Sequence, residues 1–315
     1  MKKKIDVPLV RIFGITAFAA AMIFISVSAF AQAEGDFYVD LTSDGTGVVI
    51  TGYVGNQRDV KIPATIQGFP VREIGDRAFN SNSSMVYREP ITGVTIPDGV
   101  VKIGNSAFEE QRLTSVTIPA SVTVIEARAF SWCQSLATIT FSEGLVEIGE
   151  FAFAGCRALR TLKLPDSLTK LGAGAFNSYN RFSDSSSGIT SLTLGTGLTE
   201  IPDIYDYDSD TGVFSGHSIT DLVIPEGITK IGSHAFSYNT KLTSVTLPST
   251  IVEIGGMAFG GCSELTTVNI PETLTSVNWP ANAYDNWGNA ARAFGDCPKL
   301  LLAVRAALQR LGYQF

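Results

Sequence analysis

From Leu113 the chain alternates. Val116 and Ile118 are apolar, and Ser115 and Thr117 beside them are polar. Alternation with period two predicts a β-strand with one buried face. Pro119 ends it, because proline has no N–H to give to a ladder. Val122 and Ile125 predict a second short extended segment, and Ala129-Phe130 a corner filled by one large ring. The pattern then begins again. Ala-Phe recurs at 78–79, 107–108, 129–130, 152–153, 175–176, 235–236, 258–259 and 293–294, with Val213-Phe214 in the one gap. Several spacings are 22 or 23 residues, and the others equal that unit plus an insertion. A fixed period in the twenties predicts a solenoid, in which no coil buries its own apolar face and stacking makes the core continuous. The expected fold is a repeat solenoid, mainly β, with coils of 22–23 residues, short parallel strands and little helix except a C-terminal cap.

The ends break the pattern and suggest the organisation. Residues 1–33 read as a signal peptide: Lys2, Lys3, Lys4 and Arg11, then the apolar run Ile12–Ile25, then A-x-A sites at 29–31 and 31–33. Residues 34–73 read as an N-terminal cap and lead-in strands, with the turn-forming "SDGTG" inside them. The solenoid is expected over 74–297 and a C-terminal cap helix over 298–315. In that helix Leu300, Val304, Leu308 and Leu311 share a face, Pro298 opens it and Gly312 closes it. No other apolar run is long enough to span a bilayer, so no transmembrane segment is expected in the mature chain. The formal net charge is −7, and the leader carries four basic residues against one acidic. The mature surface is therefore more acidic still and repels phosphate backbones, which excludes nucleic acid as a partner.

Catalytic chemistry finds little support. The two histidines, His217 and His234, lie in no metal-binding spacing, and no H-E-x-x-H, Walker or G-x-S-x-G motif occurs. His217 falls three residues after a repeat phenylalanine and His234 in a turn slot expected to be exposed. Neither enzyme activity nor a cofactor is expected. Asp206, Asp208 and Asp210 alternate as calcium ligands do. Glycine is missing after Asp210, however, and the place of the bidentate glutamate falls on His217, so the stretch reads as a solvated acidic insertion. Cys133, Cys156, Cys262 and Cys297 all stand three residues after a repeat phenylalanine, where other coils place Asn82, Gln111, Tyr179, His217 and Asn239. A buried slot near a turn that needs a local hydrogen bond accounts for the mixture. Free stacked thiols are expected there. Bridges Cys133–Cys156 and Cys262–Cys297 are the alternative in an exported chain.

Two outward rows look structural. The residue before the isoleucine of the second segment alternates in sign from Glu147 through Lys170, Glu200 and Lys230 to Glu253. On adjacent coils that makes a register-setting ladder. The outward positions of the first strand carry hydroxyls, as in Ser115, Thr117, Thr138, Thr140, Ser191, Thr193, Ser244 and Thr246. Threonine suits a solvent-facing strand.

The motifs "SVTIP", "TSVTLP", "IGNSAF", "IGEFAFAGC" and "IGGMAFGGC" resemble the BspA-like class of bacterial leucine-rich repeats. The resemblance spans about residues 37–300 in nine copies. Proline stands where better-known leucine-rich repeats place asparagine after the strand, so turns and short 3₁₀ pieces are expected on the convex side. The resemblance implies a bacterial protein that is exported, either secreted or held at the cell surface or in the periplasm. It also implies a non-enzymatic scaffold that adheres to proteins or glycans. A structural envelope or matrix protein without a specific ligand is the other reading.

Four insertions interrupt the period, at 80–91, 177–189, 202–213 and 278–291. Each adjoins a repeat phenylalanine, so all four should emerge at one corner of the coil. They carry Tyr179, Arg181, Phe182, Tyr205, Tyr207, Trp279, Tyr284 and Trp287. Tyrosine, tryptophan and arginine anchor interfaces, and loops on rigid scaffolds carry function. These residues are the partner-binding candidates.

Overall fold

The computed structural model describes residues 34–80, 89–178, 188–203, 212–277 and 292–315. After a 3₁₀ turn at Glu34–Asp36, strands Phe37–Leu41 and Val48–Tyr53 form an antiparallel hairpin around the "SDGTG" turn. Every coil that follows contributes two short strands; the second kind pairs into long parallel stacks, and the first kind pairs in groups of two or three coils. The first kind carries the alternating residues. Ser115–Ile118 pairs with Thr138–Phe141, placing Ser115 against Thr138 and Thr117 against Thr140. The hydroxyl row does not run the length of the molecule, because Lys163 faces Thr193 and Val223 faces Thr246. The second kind is two residues long. It starts from the hairpin through Phe69–Ile74, with one bulge at Val48/Val49, and then runs in register through Lys102–Ile103, Val124–Ile125 and Glu147–Ile148 to Lys170–Leu171.

What joins the coils is the alanine-phenylalanine corner. The nine repeat phenylalanines, from Phe79 to Phe294, are all buried. Their rings form one column with successive centroids 4.7–5.7 Å apart and planes within 20° of parallel. Beneath the rings runs a backbone ladder. Phe108 donates to the Ala129 carbonyl, Phe130 to Ala152 and Phe153 to Ala175, each at 2.7 Å, and Phe176 reaches Val213 at 3.1 Å. Tyrosines close both ends. Tyr53 stacks on Phe79 and donates its N–H to Ala78. At the far end the Tyr313 hydroxyl accepts the Phe294 N–H at 2.9 Å.

The corner has a backbone signature that the repeat alone does not predict. The residue before alanine has positive φ in coil after coil (Arg77, Ser106, Arg128, Phe151, Gly174, His234, Met257). So does the residue two after phenylalanine, as at Glu110, Trp132, Gly155, Tyr238 and Gly261. Most are not glycine, although this conformation costs an L-residue roughly 1 kcal/mol or more. The stacked corner holds them there. Among the described residues the repeats contain turns in this region and no 3₁₀ helix, which corrects that expectation. His234 is also not exposed: it is 6% accessible, packed inside the corner.

The second stack has one break. In most coils a residue after the isoleucine donates to the previous coil, as Gly149 does to Ile125 and Gly172 to Ile148, both at 2.7 Å. Pro202 occupies that place after Ile201 and has no N–H to give. Among the described residues no backbone bond joins Lys170–Leu171 to Glu200–Ile201. The stack resumes with Glu200–Ile201 pairing Lys230–Ile231. The charge ladder is interrupted at the same step. Lys170 meets Glu147 at 3.5 Å, whereas Lys230 meets Asp203 at 2.6 Å and Glu253 at 3.8 Å.

The C-terminal helix occupies Leu302–Arg310 and buries Val304 and Leu308. Pro298 does not open it. Residues 297–300 repeat the C-x-x-L turn of earlier coils, with Leu300 donating to Cys297 as Leu136 does to Cys133. Leu301 then donates to Thr266, the place a strand residue would take. The helix therefore replaces the strand of a next coil, and Gly312, with φ +82°, turns the chain so that Tyr313 reaches Phe294.

Two stability outcomes follow. Phe153→Ala removes a ring stacked on both sides and should cost about 3–5 kcal/mol in chemical denaturation. Lys170→Glu acts on an exposed pair and should cost under about 1 kcal/mol in the same assay. Equal losses would contradict the primacy of the column.

Candidate functional site at the alanine-phenylalanine corner

The slot three residues after phenylalanine proves to be a single device. Each cysteine thiol donates to the carbonyl of the preceding coil's phenylalanine: Cys133 to Phe108 (3.1 Å), Cys156 to Phe130 (3.4 Å), Cys262 to Phe236 (3.4 Å) and Cys297 to Phe259 (3.2 Å). Asn239 does the same to Phe214 at 2.8 Å, and the His217 ring to Phe176 at 2.7 Å. The four thiols are buried and unbridged. Burial pushes Cys133 and Cys297 up to about 12 and raises Cys156 and Cys262 as well, so these groups stay protonated and unreactive.

Gln111 and His217 occupy this slot in coils that follow an insertion placed directly after phenylalanine. Both reach back to the residue where that insertion rejoins the coil. Gln111 Oε1 accepts the Ile91 N–H at 2.9 Å, and His217 Nδ1 accepts the Ile189 N–H at 3.2 Å. With Nε2 donating to Phe176 and Nδ1 accepting, the ring is held neutral, and burial depresses it to about 4. The longer amide and imidazole stand where a loop directly follows phenylalanine, whereas Cys133, Cys156, Cys262 and Asn239 serve plain steps and Cys297 one whose insertion precedes its phenylalanine.

The partner-binding candidates Tyr179, Arg181, Phe182, Tyr205, Tyr207, Trp279, Tyr284 and Trp287 lie outside the described residues. So do Asp206, Asp208 and Asp210, the signal peptide and Asn82. What is described is how the insertions are rooted. Ser178 donates its hydroxyl to Gly216 at 2.8 Å, and Asp203 accepts from the Ser233 N–H at 2.8 Å. Among the described residues no group of histidine, cysteine and carboxylate side chains could hold a metal ion. No helix among them is long and apolar enough to cross a membrane.

A further site lies on the same corner. Its walls are built on the rows of positive-φ residues, with Arg157 added two residues past Gly155. Arg128 and Phe151, from successive coils, form one wall, with the guanidinium 5.9 Å from the ring centroid. Trp132 and Arg157 form the other, 5.5 Å apart. The aromatic side chains can lie down because the next coil offers glycine. A Cβ on Gly155 would come within 3.0 Å of the Trp132 ring, and one on Gly174 would run into Phe151. Trp132 nevertheless stays 43% exposed. Between the walls is a trough of about 240 Å³ with Glu109 at one end and Asn177 at the other. Sequence reasoning missed it, since Trp132 and Phe151 stand at variable positions of separate repeats. The available signal was a large aromatic in one coil with glycine at the matching position of the next.

These parallel coils define a leucine-rich-repeat solenoid. The family model described as the BspA type leucine rich repeat region matches residues 56–182 and 208–287 in six copies, and the chain belongs to that family. No curated protein sequence is significantly similar to it. Among solved structures it is similar to the leucine-rich-repeat protein of T. pallidum, at 24% identity and TM-score 0.47, over 90% of this chain and 96% of that one. It is also similar to the pneumococcal vaccine antigen PcpA, at 21% identity and TM-score 0.49, over 84% and 78%. A third is a leucine rich cell surface protein of Faecalibacterium prausnitzii, at 22% and TM-score 0.35, over 84% and 98%.

The slot makes two outcomes measurable. Thiol titration of the unfolded, non-reduced protein should find four free thiols; two or fewer would contradict the unbridged slots. A histidine in an unfolded chain takes its proton near pH 6.5, and His217 does so only near 4. Its stabilisation is therefore complete above about pH 6.5 and is lost as the pH falls towards 4, by about 3 kcal/mol in total. His217→Gln, copying Gln111, should remove this part of the pH dependence. Parallel stability–pH curves for the two proteins would show that the ring does not carry it.

Proposed function

We propose that this protein is an exported, non-enzymatic binding scaffold of the adhesin type, which uses the alanine-phenylalanine corner to contact a protein or glycan. The observation that carries the reading is the concentration of non-repeating features on that corner. The trough with its exposed Trp132 lies there, as do the roots of the insertions. The other outward rows hold hydroxyls and ion pairs that, where they occur, serve the stack. A rigid scaffold that varies in one place reserves that place for contact. The signal-peptide pattern of residues 1–33 supports export, and membership of the family supports adhesion.

Expression of the full chain in a bacterium should yield exported protein beginning just after residue 31 or 33. Immobilised mature protein should then capture a host matrix protein or a bacterial surface glycan. Exchanging Phe182, Tyr205 and Tyr207 together for serine should reduce that capture while circular dichroism stays unchanged. Retention of the leader, or equal capture by the folded triple variant, would refute export and the loop contact respectively. Capture of nothing would favour a purely structural envelope role.

A further inference from the structure

The geometry points to the trough between Arg128–Phe151 and Trp132–Arg157 as a binding site for an acidic sugar residue, a uronic or sialic acid within a glycan. This inference deepens the reading of the corner as a contact surface and rests on it.

The charge is the first argument. The chain carries a net −7, yet two guanidiniums line one small trough. Among the described residues neither has a carboxylate within ion-pair distance. The nearest acidic wall residue is Glu109, whose Oε2 accepts from Asn80 Nδ2 at 3.3 Å. Each arginine lies over an aromatic ring instead. A guanidinium over a ring at this distance is drawn to its face without spending its N–H donors, which its planar fork can give to a carboxylate in bidentate fashion. Two cations beside one carboxylate suit a ligand that has both an acid group and hydroxyls. Glu109 accepts from hydroxyls, while the arginines take the acid.

The shape is the second argument. At about 240 Å³ the trough falls below the roughly 300–1,000 Å³ of pockets for drug-sized ligands, so it admits one ring at a time. The exposed Trp132 offers the apolar edge against which a sugar ring lies.

The backbone separates a glycan from an acidic peptide. Extended peptides dock by pairing with free main-chain groups. Here those groups are spent between coils: Glu110 donates to Ser131, Trp132 to Ala154, and Gly155 to Asn177, at 2.7–2.8 Å. No strand edge is left for a peptide, so recognition falls to side chains.

The test uses the full mature chain with three probes: sialyllactose, tetragalacturonate, and lactose as the neutral control. Titration calorimetry, with tryptophan emission as a second signal, should detect at least one acidic probe and not lactose. Arg128→Gln with Arg157→Gln should weaken binding at least tenfold, and Trp132→Ala should abolish the emission change. The arginine variant leaves both rings in place, and glutamine takes the same positive φ at Gln67, so it should keep the wild-type unfolding midpoint. Binding that survives it, equal binding of lactose, or tighter binding of a polyglutamate peptide would each overturn the site. So would silence with all saccharides. If the double variant still captures a partner of the insertion loops at full strength while no acidic probe binds, the site fails and the scaffold reading stands.

Discussion

Every other feature of this molecule depends on one repeated contact, the phenylalanine ring lying on the ring of the coil before it. The column fixes the step between coils, and the Phe-to-Ala backbone ladder runs beneath it at the same step. Strands of two residues could not set register by themselves. They pair because the corner has already placed them one strand spacing apart. The corner also explains why residues such as Arg128 and Phe151 accept positive φ. Leaving that conformation would break a rung and tilt two neighbouring rings, which costs more than the local strain.

The column tolerates interruption in sequence because it has a repair device one turn further on. Where no loop follows phenylalanine, a thiol or Asn239 satisfies the carbonyl of the phenylalanine behind it. Where a loop has been inserted after phenylalanine, glutamine or histidine uses its second polar atom to catch the returning chain. The core therefore stays continuous while the surface at the corner varies. The aromatics of the trough follow the same logic on the outside: a large side chain in one coil is matched by glycine in the next.

Much of this was legible in the chain. The Ala-Phe period, the alternation of Val116 and Ile118, and the proline stop at 119 define the coil and its two strands. The cysteine slot was legible too, because one position that accepts Cys, Asn, Gln and His must offer a hydrogen bond and little room. Three things were not. Positive φ at non-glycine residues leaves no mark in composition, since the stack imposes it. The start of the helix was misplaced because Pro298 looks like a helix opener and is in fact the second residue of one more C-x-x-L turn. The trough stayed hidden because Trp132 and Phe151 are nineteen residues apart and meet only through the stacking of coils.

Pro202 carries a mechanical consequence. In a solenoid each coil is coupled only to its neighbours, so the chain behaves as a row of links of unequal strength. At the link between the coils of Phe176 and Phe214 the second stack contributes no backbone rung, and the ring step is the widest of the phenylalanine steps at 5.7 Å. A pull along the axis, such as a tethered partner would exert in flow, is carried at this step by the corner and by the pairing of Thr161–Lys163 with Ser191–Thr193. The two coils thus hold each other through one strand stack instead of two, while the second stack continues on either side of them.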